Sequence, residues 1–95
     1  MAEILIEWDQ DYTGDMSFKV TVSEGESKTT HFVTLTRGHY DRLASHIDPE
    51  KLIRKSFEFL LEREPKESIM EQFELTDIAR YFPSYEKEIR WRIRD

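Results

Sequence analysis

A chain of 95 residues suffices for one domain with one core, taken here as 1–95, and the absence of cysteine removes disulfides, thiolate metal sites and cysteine nucleophiles. The formal net charge of −6 repels nucleic acid and anionic membranes, while 13% aromatic residues is too many for a disordered chain. The run Met1–Glu7 has no basic leader and nothing approaches the roughly 18 apolar residues of a membrane span, so a cytoplasmic protein without a signal peptide is expected.

The N-terminal third alternates with period 2. Residues 3–8 place Ile4, Ile6 and Trp8 on one face and Glu3 and Glu7 on the other. Residues 16–23 give the clearest strand signal, with Met16, Phe18, Val20 and Val22 against Ser17, Lys19, Thr21 and Ser23. Glu24-Gly25-Glu26-Ser27 reads as a hairpin turn. A third strand over 28–36 puts His31, Val33 and Leu35 together, and its threonines favour pleated backbone. Short connections predict a three-stranded antiparallel meander.

The period then changes to helical. Thr36 is the cap of a helix over 37–47 whose apolar face is Tyr40, Leu43, Ala44 and Ile47. Asp48-Pro49-Glu50 is a strong start signal for a helix over 49–63, with Ile53, Phe57, Leu60 and Leu61 as its inner stripe. Leu52 and Phe59 fall on its flank, so two surfaces must cover it. Further helices are predicted over 66–73 (Ile69, Met70, Phe73), over 76–82 from a Thr76 cap, and over 85–94 from a Ser84 cap with Tyr85, Ile89 and Ile93 in line. The fold class is α+β: a meander followed by four or five helices.

The strand pair Val20-Thr21-Val22 and Thr29 to Leu35, running on to Tyr40-Asp41-Arg42-Leu43, forms one recognisable stretch. The segment Ser56 to Ile69, followed by Phe73 and Arg80-Tyr81-Phe82-Pro83-Ser84-Tyr85-Glu86, forms a second. Together they are similar to the front and back halves of a group of short uncharacterised bacterial proteins. The likeness covers most of the chain. It implies a bacterial, cytosolic, single-domain protein and transfers no catalytic residue.

Chemistry-bearing patterns are sparse, and neither an enzyme nor a cofactor is expected. Asp9 to Asp15 resembles the start of a calcium loop, with Asp9, Asp11 and Asp15 as candidate ligands and Gly14 at the sixth position. The twelfth position falls on Val20 where a bidentate Glu is needed, and the flanks read as strands, so a solvated turn is the better reading. His31, His39 and His46 stand eight and seven residues apart, too far for a zinc pair, and His31 reads as a satisfied structural histidine. There is no glycine-rich phosphate loop and no nucleophile elbow around any serine.

Two binding readings remain. A helix-turn-helix over 65–94 has about the right element lengths, but Pro83 cuts the second helix short, and Asp77 lies at its start beside Glu67, Glu71 and Glu74. Its cations gather at the tip, Lys87, Arg90, Arg92 and Arg94 around Trp91, which is also where a helix dipole favours them. The preferred reading is a non-enzymatic protein-interaction module, meeting a partner protein or a second copy. Its contact residues would be Phe59, Tyr81, Tyr85, Arg90, Trp91 and Arg94, the composition of an interaction hot spot.

Overall fold

In the computed structural model, which describes residues 2–44 and 46–94, strands form where the period-2 pattern places them. β1 (Glu3–Gln10), β2 (Met16–Glu24) and β3 (Ser27–Leu35) pair antiparallel in chain order. β2 and β3 lie within a residue of expectation, and β1 runs two residues beyond its expected end. The β2–β3 connection is a two-residue turn in which Gly25 adopts φ +60° and Glu26 stays negative, the sign pattern of a type II′ hairpin.

Register divides the sheet into two faces. Ile6, Val20 and His31 form one cross-strand row and Trp8, Phe18 and Val33 the next, on the face that the helices cover. Trp8 stacks on Phe18 with ring centroids 5.7 Å apart, at the margin of that covered face. The opposite face carries Leu5, Lys19, Thr21, Thr30 and Phe32 and has no helix over it, so Leu5 and Phe32 stay exposed.

α1 (Arg37–Ala44) starts on the expected cap, the Thr36 hydroxyl accepting from the His39 amide at 3.2 Å. It is shorter than the expected 37–47: Ser45 lies outside the described residues, and Ile47 sits in the turn, where its carbonyl accepts the Tyr40 hydroxyl. α2 (Pro49–Leu61) begins as the sequence dictates, with extended Asp48 accepting from the Glu50 amide at 2.9 Å and Pro49 opening the first turn. Its end is tightened by the Arg63 and Glu64 amides, both donating to the Leu60 carbonyl.

The expected helix over 66–73 does not form. Lys66–Ser68 is a single 3-10 turn, and Gln72–Glu74 is a fourth strand, β4, parallel to β3 in a sheet of order β1-β2-β3-β4. The meander is therefore the antiparallel part of a mixed four-stranded sheet. Two ladder bonds bracket β4, the Phe32 amide to the Glu71 carbonyl at 2.6 Å and the Leu75 amide to the Thr34 carbonyl at 2.9 Å. Phe73 and Leu75 are buried while Gln72 and Glu74 are exposed, a period-2 pattern that overrides the helical spacing of Ile69, Met70 and Phe73. The strand also satisfies the outer edge of β3, which would otherwise present unpaired backbone groups.

α3 (Asp77–Tyr81) and α4 (Tyr85–Arg92) follow directly on Thr76 and Ser84, the expected cap residues, but neither helix is held by a side-chain cap bond. Thr76 and Ser84 already hold helical dihedrals and make no side-chain cap bond; the Asp77 carboxylate instead accepts from the Glu74 amide at 3.1 Å. Tyr85, Ile89 and Ile93 do form the buried stripe that their spacing predicts.

α2 holds these layers together. Its Ser56 hydroxyl donates to the Leu52 carbonyl at 2.8 Å, which leaves its oxygen to accept from the buried Tyr85 hydroxyl of α4 at 2.7 Å. Burial pushes the Tyr85 phenol above its ordinary range, so it stays a donor. Tyr85→Phe keeps Ser56 satisfied and is expected to cost about 1 kcal/mol, whereas Ser56→Ala strands a buried hydroxyl and is expected to cost roughly 1–3 kcal/mol. Urea unfolding of the two variants tests the order, and a larger loss in Tyr85→Phe would show that Ser56 is not the acceptor.

Candidate functional site

The six residues expected at a common interaction surface separate into three environments. Phe59 and Tyr85 are in the core, which corrects their expected surface role. Phe59 is enclosed by Phe82 and Tyr85 edge-on at 5.9 and 5.3 Å, and by the Arg63 guanidinium 3.6 Å over its ring. Arg63 and Arg92 are themselves held by carboxylates: Arg63 by Glu88, and Arg92 by a two-pronged contact to Glu62 at 2.7 and 2.5 Å. The arginines near the C-terminal aromatics thus seal the α2–α4 seam, and Arg92 drops out of the expected basic tip.

Trp91, Arg90 and Arg94 are exposed and lie together with Lys87 along the outer side of α4. Trp91 is 63% exposed, and the Arg94 guanidinium sits 4.9 Å from its ring centroid. Glu86, an acid on the same surface, is engaged by Arg42 at 3.0 Å, and that contact holds its carboxyl below the usual range. The tip is a small cationic ridge with one aromatic blade.

Tyr81 belongs elsewhere. Together with Met70 it forms the rim of an apolar groove of about 410 Å³ between the end of α2, the segment after the 3-10 turn, β4 and α3. Leu60, Ile69, Phe73 and Ile78 make its floor and are buried, whereas Tyr81 is 67% and Met70 37% exposed. Covalent order explains little of this assembly; hydrogen bonds position it. The His31 Nδ1–H donates to the Met70 carbonyl at 2.8 Å, and since that carbonyl can only accept, Nε2 is left to accept the Thr29 hydroxyl at 2.7 Å. His31 is thus the satisfied structural histidine its position implies, and it anchors one rim of the groove.

Glu64 is the ionisable carboxylate of the groove lining, which also includes Ser68. Burial alone pushes its carboxyl above the usual range, and no charge or hydrogen bond offsets that shift. The cations beside it in sequence are paired elsewhere: Lys66, itself buried, with Glu67 at 2.6 Å and Glu24 at 3.5 Å, and Arg63 with Glu88. Nothing in the sequence singles Glu64 out from the other acids. The groove was not legible in the sequence, because Ile69, Met70 and Phe73 satisfy the spacing of a helix over 66–73 that does not form.

Other expected chemistry finds no shared centre. Asp9 accepts from the Gln10 amide, Asp11 from Thr13 and Asp15 from the Arg37 amide, so the three carboxylates serve their own turn and the start of α1. Among the described residues no three His, Asp or Glu side chains gather as a metal site. The helix-turn-helix reading loses its first helix to the 3-10 turn and β4. On the bare sheet face, Leu5 stands in register with Thr21 and Thr30, and Phe32 with Lys19 and Gln72, so the two exposed apolar side chains are separated by polar ones. Among the described residues no helix is long and apolar enough to cross a membrane.

No protein-family model matches the chain, and no curated protein or solved structure is found to be similar to it.

The different placements of Phe59 and Trp91 predict opposite behaviour. Phe59→Ser is expected to cost about 3–5 kcal/mol by emptying the α2–α4 seam, and Trp91→Ala to stay within about 0.5 kcal/mol, both read by chemical denaturation. His39 adds a pH signature: it is buried, its Nε2 has no hydrogen-bond partner among the described residues, and burial, reinforced by Arg42, pushes its pKa below 6.5 against the opposing pull of Glu86. A depressed folded pKa means that the unfolded chain binds the proton first, so this contribution is complete above pH 6.5 and is lost as pH falls through the folded value. Thermal melts between pH 7.5 and 5 should show that decline in the wild type and a flatter profile in His39→Leu.

Proposed function

We propose that the chain is a non-catalytic protein-interaction module whose docking site is the groove rimmed by Tyr81 and Met70. The observation that carries this reading is an apolar groove whose buried floor lies beneath two exposed, adaptable side chains. Exposed tyrosine around a desolvated centre is the composition of a binding hot spot, and methionine repacks readily around a partner's side chain. The occupant is a short segment of another protein that inserts one or two apolar side chains between β4 and α3. The groove volume suits that scale of ligand. A second copy is disfavoured because each carries a net charge of −6. His31 and Ser56, whose polar atoms are fully engaged in structural hydrogen bonds, support a binding role over catalysis.

A second reading has its own observation. Lys87, Arg90 and Arg94 stand around exposed Trp91 with the nearby Glu86 already engaged, a combination suited to a phosphate backbone with a stacked base. The acidic remainder of the chain opposes that reading.

A photo-crosslinking amino acid placed at Tyr81, at Trp91 or at the fully exposed Tyr12 separates these possibilities. In the native host, position 81 should trap one discrete protein that position 12 does not, and Met70→Glu should abolish the adduct. Identical backgrounds at 81 and 12 would overturn the groove reading. A nuclease-sensitive adduct at 91 alone would favour the second.

A further inference from the structure

We infer that the groove selects a protein segment that presents an apolar side chain next to an arginine or lysine, with the cation received by the Glu64 carboxylate. This deepens the groove reading above and rests on it. The argument starts from what docking would do to Glu64. In the free protein the carboxylate is partly hydrated, and no described residue donates to it. A side chain seated on Leu60, Phe73 and Ile78 would remove more of that water. A carboxylate desolvated without a partner is strongly unfavourable, so a neutral apolar ligand meets a penalty that grows as its fit improves.

A cation on the ligand reverses the sign of that term. The guanidinium or ammonium replaces the lost water with a charge-assisted hydrogen bond, in a site where the effective dielectric has fallen. The cations beside it in sequence offer no substitute, since Arg63 is paired with Glu88 and Lys66 with Glu67. An acidic ligand would place a second negative charge beside the first and is excluded. The overall charge of −6 acts in the same direction at long range, drawing in basic segments. The apolar floor thus supplies affinity and Glu64 supplies the choice among apolar segments.

The test uses the full chain, labelled with nitrogen-15, and a set of short helical peptides bearing leucine, phenylalanine or tryptophan. Each is made in three forms that differ at one adjacent position: arginine, glutamine or glutamate. The arginine form should shift the amides of Ile69, Met70, Ile78 and Tyr81 and bind about tenfold more tightly than the glutamine form. The glutamate form should be the weakest. In Glu64→Gln, a conservative change at a partly exposed position, the arginine and glutamine forms should bind alike. Equal binding of those two forms to the wild type, or a preference that survives Glu64→Gln, would overturn the selectivity while leaving the groove as a docking site. Absence of groove shifts with every peptide at millimolar concentration would overturn the docking reading itself. Concentration-dependent shifts of the same amides in the free protein would place a second copy there and overturn the basic-partner assignment.

Discussion

Helix α2 carries apolar residues around more of its circumference than one contact can hide, and most of the architecture answers that requirement. Ile53, Phe57 and Leu60 meet the sheet side of the core, where Phe57 lies 5.5 Å from His31 and 6.1 Å from Phe73 between ring centroids. Phe59 emerges on the flank, and a sheet cannot cover both. The chain therefore needs a second layer, which Phe82 and α4 provide. The cover is polar at its margin: the network of Glu62, Arg63, Glu88 and Arg92 closes over Phe59, using guanidinium planes as lids on an aromatic face. Each such ion pair in isolation contributes little at a surface, but here the arginines also exclude water from the ring.

Completion of the sheet follows from the same packing. Once α1 and α2 have carried the chain across the covered face, the returning segment lies beside the free edge of β3. Three residues of β4 are enough to satisfy that edge, and Phe73 then extends the row Phe18–Val33 across the full sheet. The groove is a consequence of this short strand. A longer β4 or a full helix over 66–73 would have spread across the space between β4 and α3; a single 3-10 turn, pinned by buried Lys66 to Glu24 and Glu67, leaves it open. His31 fixes the near rim through the Met70 carbonyl, so the opening is held by the fold rather than by chance exposure of a loop.

The parts of this fold legible in the sequence are those governed by local periodicity. The Met16–Val22 alternation, the Asp48-Pro49-Glu50 start and the Tyr85–Ile89–Ile93 stripe each translate directly into buried faces. The parts that were not legible depend on partners distant in sequence. Residues 69–73 satisfy a helical spacing and 73–75 an alternating one, and only the free edge of β3, some 40 residues upstream, decides between them. Phe59 could not be told from a surface aromatic because its cover is made partly by the Arg63 and Arg92 side chains, which composition counts as solvated charge. Glu64 is the extreme case: its distinction is what fails to surround it, and no sequence pattern encodes the absence of a neighbour.

The exposed aromatics of the C-terminal segment, Tyr81 and Trp91, stand in opposite electrostatic settings, and this constrains what one partner could do. The lining of the Tyr81 groove includes a carboxylate and, among the described residues, no cation, whereas the Trp91 ridge carries Lys87, Arg90 and Arg94 beside a Glu86 that Arg42 engages. A partner that touched both would need a dipolar surface, basic where it enters the groove and acidic where it meets the ridge. That arrangement would fix orientation as well as identity, because reversing the partner would bring like charges together at both ends. The ridge would then act mainly on approach and alignment, since its charges stay hydrated and screened, while the groove, where water is displaced, would set the lifetime of the complex.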